Sequence, residues 1–216
     1  MLDSRSAYRL WSETYAPNAH NPLMDAEEAA MRALLPPLDG RTVLDLACGT
    51  GRYTRIAYEL GAACVYSLDN SADMLLRGQV PAACAADLTA IPLPGGSVDV
   101  IICGLALGHV KSLAEALGEI ARVLVPGGVA CVSDLHPYQT LSGAKRTFAA
   151  SDGESYAVEH YLHLLEDYIT LSTEAGLWLQ ALREPRLSAA SANPVVLALR
   201  FVRAASQDDL RLVSMK

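Results

Sequence analysis

Short apolar runs recur through much of the chain, each followed by a stretch whose apolar residues fall at helical spacing. Thr42–Ala47, Ala63–Leu68, Ala82–Ala86, Val98–Leu105 and Val129–Ser133 are apolar almost without interruption. That pattern predicts strands covered on both faces, hence a parallel sheet. Between them, Arg52–Leu60 reads as a helix closed by Gly61, and Ser71 opens a short helix carrying Met74 and Leu75. The clearest helix follows Ser112 and Glu115, an S-x-x-E capping box. Leu113, Leu117, Ile120 and Leu124 lie on one face until Pro126-Gly127-Gly128 stops the run. Upstream, Asp25 and Glu28 predict a capped helix through Leu35, with Pro36-Pro37 as its stop.

This alternation implies right-handed strand-helix-strand units and a doubly wound α/β sheet. After Ser133 the rhythm lapses. Residues 134–163 hold histidines, tyrosines, Ser-Gly and Asp-Gly without sustained periodicity, which predicts a loop-rich lid or insertion beyond the carboxyl end of strand 5, where α/β ligands sit. A helix from Leu164 to Ala175, ended by Gly176, leads to the runs Leu177–Arg183 and Val195–Arg203, joined by EPRLSAASANP. These read as a closing antiparallel pair, making seven strands. One domain spans 1–216: N-terminal helices or lid over 1–41, a core over 42–133, a substrate-side insertion over 134–163, and a closing helix with strands over 164–216.

Composition narrows the partners. Of 216 residues, 51% are hydrophobic and 19% charged, enough apolar material for one well-packed core. Seventeen basic residues against twenty-four acidic ones give a net charge of −7, and no basic cluster interrupts it, so a nucleic-acid partner is not expected. Cys48, Cys64, Cys84, Cys103 and Cys131 are odd in number and lack a CxxC pair; they predict a reducing, cytoplasmic setting. The start MLDSRSAYRLWSE has no apolar core of signal-peptide type, and no apolar stretch reaches bilayer length, so neither secretion nor a membrane partner is expected.

Candidate chemistry begins at VLDLACGTGRYT, residues 43–54. A strand ending in a glycine-rich turn that opens a helix presents backbone N–H groups to a ligand. The dinucleotide fingerprint G-x-G-x-x-G is incomplete, because Gly49-Thr50-Gly51 is followed by Arg52, Tyr53 and Thr54, and no G-x-x-x-x-G-K-[ST] phosphate loop occurs. Asp45 lies within the first strand and Asp69 ends the next. A carboxylate at the second position can accept both hydroxyls of an unphosphorylated ribose.

Four segments in order, VLDLACGTGRYT, YSLDNSADML, AADLTAIPLPGGSVDVIICGLALGHV and EIARVLVPGGVACVSDLHPY, span roughly residues 42–138. Together they resemble the class I S-adenosylmethionine-dependent methyltransferases, within them the small-molecule branch of ubiquinone and menaquinone biosynthesis enzymes. The resemblance implies a Rossmann-like fold, S-adenosylmethionine as cofactor and S-adenosylhomocysteine as product. It implies that Gly49 and Gly51 pass close to the methionine part, with the Ala47 and Cys103 carbonyls accepting from its amino group. Asp69 would bind the ribose, Asn70 and Met74 would lie against the adenine, and Asp87 with the Leu88 N–H would read its edge. Asp45 binds through water or holds the turn, and Tyr15 lies at the cofactor mouth or packs the first helix.

A sulfonium donor needs an acceptor held in line more than it needs a base. Where a proton must leave, His136 is the candidate base or substrate contact, since it follows the fifth strand at the functional edge; a structural hydrogen bond is the competing reading. His109 precedes the capped helix and reads as loop anchor or substrate contact. Tyr8, Tyr138, His160 and Tyr161 fall in segments expected to line the acceptor pocket, and the histidine spacing matches no metal motif. CGLAL stands where DNA-base enzymes carry an N-P-P-[YFW] loop. A small-molecule acceptor is therefore expected, methylated on O, N or C. A cofactor-binding protein without transfer chemistry and a nicotinamide-dependent reductase are the other two readings.

Overall fold

The computed structural model describes residues 1–188 and 190–205. Ala189 in the EPRLSAASANP connection, and residues 206–216 of the predicted closing segment, lie outside the described residues. Five strands follow the predicted runs: β1 (Thr42–Leu46), β2 (Cys64–Asp69), β3 (Ala83–Ala85), β4 (Val98–Gly104) and β5 (Leu124–Leu135). A hairpin, β6 (Thr147–Ala149) and β7 (Ser155–Ala157), precedes β8 (Leu177–Arg183) and β9 (Val196–Arg203). The main sheet has seven strands in the order β3-β2-β1-β4-β5-β9-β8. The first five are mutually parallel, while β9 runs antiparallel to β5 and β8. The chain winds outward from β1 through β2 to β3, then returns to the other side of β1 as β4. The carboxyl ends of β1 and β4 therefore flank the point where the winding reverses, which is where such sheets open a crevice.

Successive residues of a strand face opposite sides of the sheet. Leu44 and Ile101 belong to one buried cluster with Leu117, Ile120 and Phe201, whereas Val43 and Ile102 join Met31, Leu34 and Val196 in the other. Two apolar layers explain the unbroken apolar runs. They are covered by α2 (Pro22–Leu34) and α3 (Arg52–Glu59) on the Val43 side, and by α5 (Leu113–Val123) and α7 (Leu165–Glu174) on the other. Each Leu or Ile buried this way contributes about 1.5–3 kcal/mol.

Several boundaries differ from expectation for local reasons. The cap of α2 is Asn21, whose side chain accepts from the Met24 N–H at 3.0 Å, and Pro22 is the first helical residue, so Asp25 falls within the first turn. Proline at that position lacks only an N–H the helix cannot use. Strand β5 starts at Leu124, directly after α5. Leu124 pairs with Val98 and Val129 with Val100, leaving Pro126-Gly127-Gly128 as an excursion within the strand. Ser112 caps α5 as expected, accepting from the Glu115 N–H at 3.4 Å.

The insertion is more structured than its sequence suggests. It holds α6 (Pro137–Leu141) and the β6–β7 hairpin, turned at Asp152-Gly153, where Gly153 has φ 84° and Asp152 accepts from the Glu154 N–H at 2.9 Å. The first helix, α1 (Ser4–Trp11), packs on this hairpin in a third small core of Ala7, Phe148 and Val158. Trp11 stacks on Phe148 with ring centroids 4.8 Å apart. Leu2 extends the hairpin: its N–H donates to the Ala157 carbonyl at 2.9 Å, and its carbonyl accepts from the Glu159 N–H at 2.8 Å. The amino-terminal segment and the insertion thus form one cap. The remaining helix, α4 (Ala72–Gly78), follows β2. Among the described residues no helix is long and apolar enough to cross a membrane, and no group of three His, Cys, Asp or Glu is placed to hold a metal ion.

Candidate active site

A cleft opens at the carboxyl ends of β1 and β4, roofed by the cap. Its floor is built by backbone conformation. Ala47 (φ 56°) and Leu105 (φ 56°), just beyond β1 and β4, are left-handed non-glycine residues, a conformation that costs of order 1 kcal/mol and clusters at functional sites. Gly49 (φ 56°) and Gly51 (φ 80°) complete the turn; a Cβ on Gly51 would lie 2.9 Å from a Val80 methyl carbon. Glycine is required there by both strain and space.

Asp69 closes the turn from β2. Its Oδ2 accepts from the Gly49 N–H at 2.7 Å and its Oδ1 from the Ser71 N–H at 2.8 Å. Burial pushes the Asp69 carboxyl up, while these two N–H groups pull it back. An ionised carboxylate has about four lone-pair positions, so each oxygen keeps one for a ligand. Asp69 therefore both fastens the turn to the start of α4 and stands in the cleft wall.

Of the residues predicted from sequence, Tyr8, Tyr15, Ala47, Gly49, Asp69, Asn70, Met74, Leu88 and His109 line this one cleft. Gly51 shapes the turn from behind. Asp45 lies beneath it, accepting from the Thr54 hydroxyl at 2.7 Å, and burial raises its carboxyl to about 7; it holds the turn and does not face the cleft. Asp87 is exposed and accepts from the Thr89 N–H at 2.9 Å. Cys103 is wholly buried between β1 and β5. Burial pushes the Cys48 thiol up, which disfavours the thiolate.

The expectation for His136 is revised. It caps α6, its Nδ1 accepting from the Tyr138 N–H at 3.2 Å and its Nε2–H donating to Glu184 at 3.0 Å. Both ring nitrogens are engaged and the residue is not part of the cleft wall. Tyr138 is exposed and packs its ring on His136, 4.7 Å between centroids. His160 and Tyr161 also stand outside the wall. His160 donates to buried Asp134 at 3.2 Å, Asp134 accepts from the Tyr168 hydroxyl at 2.9 Å, and the Tyr161 N–H donates to the Gly108 carbonyl at 2.7 Å. Burial alone would raise the Asp134 carboxyl, but the hydrogen bond and charge of His160 outweigh it and hold it low. These groups brace the loop that carries His109.

Four further residues complete the site. Glu27 of α2 is fully buried; it accepts from the Arg52 guanidinium at 2.6 Å, the Tyr53 hydroxyl at 2.7 Å and the Ser133 hydroxyl at 2.5 Å. Burial works against the Arg52 charge, yet Glu27 beside it holds the guanidinium above its ordinary value. Arg52 and Tyr53 both face the cleft. On the opposite wall Arg146 donates to the Leu105 carbonyl at 2.7 Å and the Tyr8 oxygen at 2.8 Å. Tyr8 and His109 Nε2 are 3.1 Å apart, and His109 Nδ1 is 2.8 Å from the Glu159 carbonyl. Burial and then Arg146 push His109 down to about 3, so its ring is neutral at pH 7, Nδ1–H donates to the carbonyl and Tyr8 donates to Nε2. Arg52 was visible in the sequence only as the residue that follows Gly51; Thr54 is what stands where a third glycine would be. Glu27 and Arg146 had no motif to mark them.

The donor set fits an adenosyl ligand: an acid with open lone pairs at the end of β2, apolar side chains of Met74 and Leu88 for a flat ring, and a turn whose Gly49 brings bare backbone to the cleft. Comparison with known proteins agrees. Residues 44–132 match the family model described as methyltransferase domain. A malonyl-[acyl-carrier protein] O-methyltransferase of Enterobacter lignolyticus is 31% identical over 177 residues, covering 80% of this chain and 70% of that protein. The protein of the same name from Pectobacterium atrosepticum is 35% identical over 128 residues; the match covers 53% of this chain and spans half of that protein's length. The crystal structure of an S-adenosylmethionine-dependent methyltransferase from Mesorhizobium loti superposes with a TM-score of 0.71 at 25% identity, covering 82% of this chain and 98% of that one. Sequence, sheet order and cleft together show that the chain belongs to the class I S-adenosylmethionine-dependent methyltransferases.

Proposed function

We propose that the chain methylates a small-molecule acceptor held between the β1–β4 crevice and the cap, and that positioning supplies most of the rate. The observation that carries this reading is the shared cleft: Asp69, Met74 and Leu88 on the sheet side face Tyr8, His109 and Arg146 on the cap side. S-adenosylmethionine, when bound, supplies a methyl group made electrophilic by its sulfonium. The protein's part is orientation. The open lone pairs of Asp69 suit two ribose hydroxyls, Met74 and Leu88 suit the adenine faces with Asn70 beside them, and the turn at Gly49 admits the methionine chain. Tyr8, Tyr15 and Met24 wall the opposite side and exclude water. Holding two reactants in line is worth up to about 7–11 kcal/mol.

A neutral, weakly basic His109 is suited to an acceptor that reaches the site already deprotonated. We infer a cytoplasmic setting, with neither nucleic acid nor membrane as partner; the five free cysteines and the net charge of −7 support it. The test is incubation with methyl-labelled S-adenosylmethionine and a panel of phenols, amines, carboxylates, quinols and thioester-linked acyl groups, read by mass spectrometry for a one-methyl gain together with S-adenosylhomocysteine. Binding without any product, across the panel and cell extracts alike, would sink the transfer reading. A thermal shift with NAD and none with S-adenosylhomocysteine would sink the cofactor assignment, since a ligand at about a hundred times its dissociation constant adds about 2.7 kcal/mol.

A further inference from the structure

Resting on the methyltransferase reading, we propose that the acceptor carries a carboxylate and that Arg146 binds it. Arg146 lies in the insertion, immediately before β6, and sends its guanidinium into the cleft. Two of its five N–H donors are used, by the Leu105 carbonyl and the Tyr8 oxygen. Among the described residues, Arg32, Arg41, Arg52 and Arg122 each have a carboxylate within 4.0 Å, and Arg146 has none. The contrast with Arg52 is direct. Both cations face one cleft, but Arg52 is neutralised by buried Glu27 at 2.6 Å, whereas Arg146 has only neutral partners.

Those direct partners hold the cation in place without cancelling its charge; the buried carboxylate that feels it, Asp134, is itself engaged by His160 and Tyr168. The Tyr8 hydroxyl donates a hydrogen bond to His109, which is anchored on the Glu159 carbonyl, and the Tyr8 oxygen is thereby turned toward Arg146. A guanidinium fixed on one edge presents its remaining donors as a fork, the shape that pairs with the two oxygens of a carboxylate. A phosphate dianion suits the site less well. It would bring two charges against one cation, with Asp69 in the same cleft. A neutral acceptor would leave the guanidinium partly desolvated and unpaired, which is unfavourable.

The experiment uses the full chain saturated with S-adenosylhomocysteine and measures, by calorimetry, the binding of benzoate, hexanoate and glutarate, their primary amides, and phenyl phosphate. Charge-assisted pairing predicts that at least one acid binds about tenfold or more tightly than its amide, and more tightly than phenyl phosphate. Arg146→Gln should remove that preference while leaving S-adenosylhomocysteine affinity within about twofold, and Arg146→Lys should restore part of it. Acids binding no better than amides, no acid binding at all, phenyl phosphate binding best, or an unchanged acid preference in Arg146→Gln would each overturn the proposal. Loss of S-adenosylhomocysteine binding in a folded Arg146→Gln protein would also overturn it, by placing the arginine in the cofactor site. Failure of the unsubstituted chain to bind S-adenosylhomocysteine would instead overturn the reading on which this one rests.

Discussion

Asp69→Ala separates the two duties assigned to this residue. The carboxylate takes the Gly49 N–H at 2.7 Å and the Ser71 N–H at 2.8 Å, both charge-assisted bonds. Each such bond contributes about 1.5–3 kcal/mol. Asp69 is 9% exposed, so water reaches the freed N–H groups only in part. The desolvation cost of the carboxylate is recovered on its removal, which leaves a net loss of about 2–4 kcal/mol in folding stability. For a chain of this length that lowers the melting temperature by roughly 4–16 °C. On the proposed placement of the cofactor two ribose hydroxyls lose their acceptor at the same time, so S-adenosylhomocysteine affinity should fall by a further factor of roughly 30–1,000 at a temperature where the variant is fully folded. Thermal unfolding of the free protein and calorimetric titration at 15 °C or about that temperature measure the two losses independently. A normal melting temperature would refute the stapling role, and an unchanged affinity would show that the sugar lies elsewhere.

Glu27→Ala should destabilise the protein by about 3–5 kcal/mol, because it strands Arg52, Tyr53 and Ser133 around a buried charge. Urea unfolding checks this, and a loss below about 1 kcal/mol would mean the network is dispensable. Asp45→Asn tests linkage. A folded value near 7 against an ordinary carboxyl value of 3.8 means the folded state holds the extra proton between these limits, so this group's stabilisation is intact below about pH 4 and declines as pH rises through 7. The asparagine variant should lose that declining slope, worth at most roughly 4 kcal/mol; urea midpoints at a series of pH values that parallel the unsubstituted protein would contradict it. His136→Ala should cost about 1–2 kcal/mol through the lost cap of α6 and its bond to Glu184. Turnover should stay within about twofold, and a drop in kcat at unchanged KM would return His136 to the chemistry.

The strands under the cleft were legible in the sequence because burial on both faces leaves a simple mark: Val43, Leu44, Ile101 and Ile102 are apolar whichever side they face. Asp69 was legible because its position follows from where β2 must end. The start of α2 was misread because Asn21 and Asp25 are both good caps, and only the preference of Pro22 for the first turn separates them. Strands β6 and β7 have three residues each, too few for any period to show. The long-range pairs were harder still. Arg146 meets Tyr8 across 138 positions of sequence and Glu27 meets Ser133 across 106; such pairs are made by the fold, and no local pattern announces them. His136 shows the reverse error. Its location was sound, but its two nitrogens serve the chain itself.

The clasp between Leu2 and the hairpin bears on how molecules enter and leave. Two backbone hydrogen bonds secure the extreme amino terminus to a ribbon that is separate from the seven-stranded sheet. Peeling Leu2 away breaks these two bonds alone: α1 keeps its Trp11–Phe148 stack and Tyr8 keeps its contacts to His109 and Arg146, and every rung of the large ladder stays intact. Leu2 thus ties the amino-terminal segment to the insertion, and a substitution that disturbs it acts on the cover of the cleft without touching the sheet beneath.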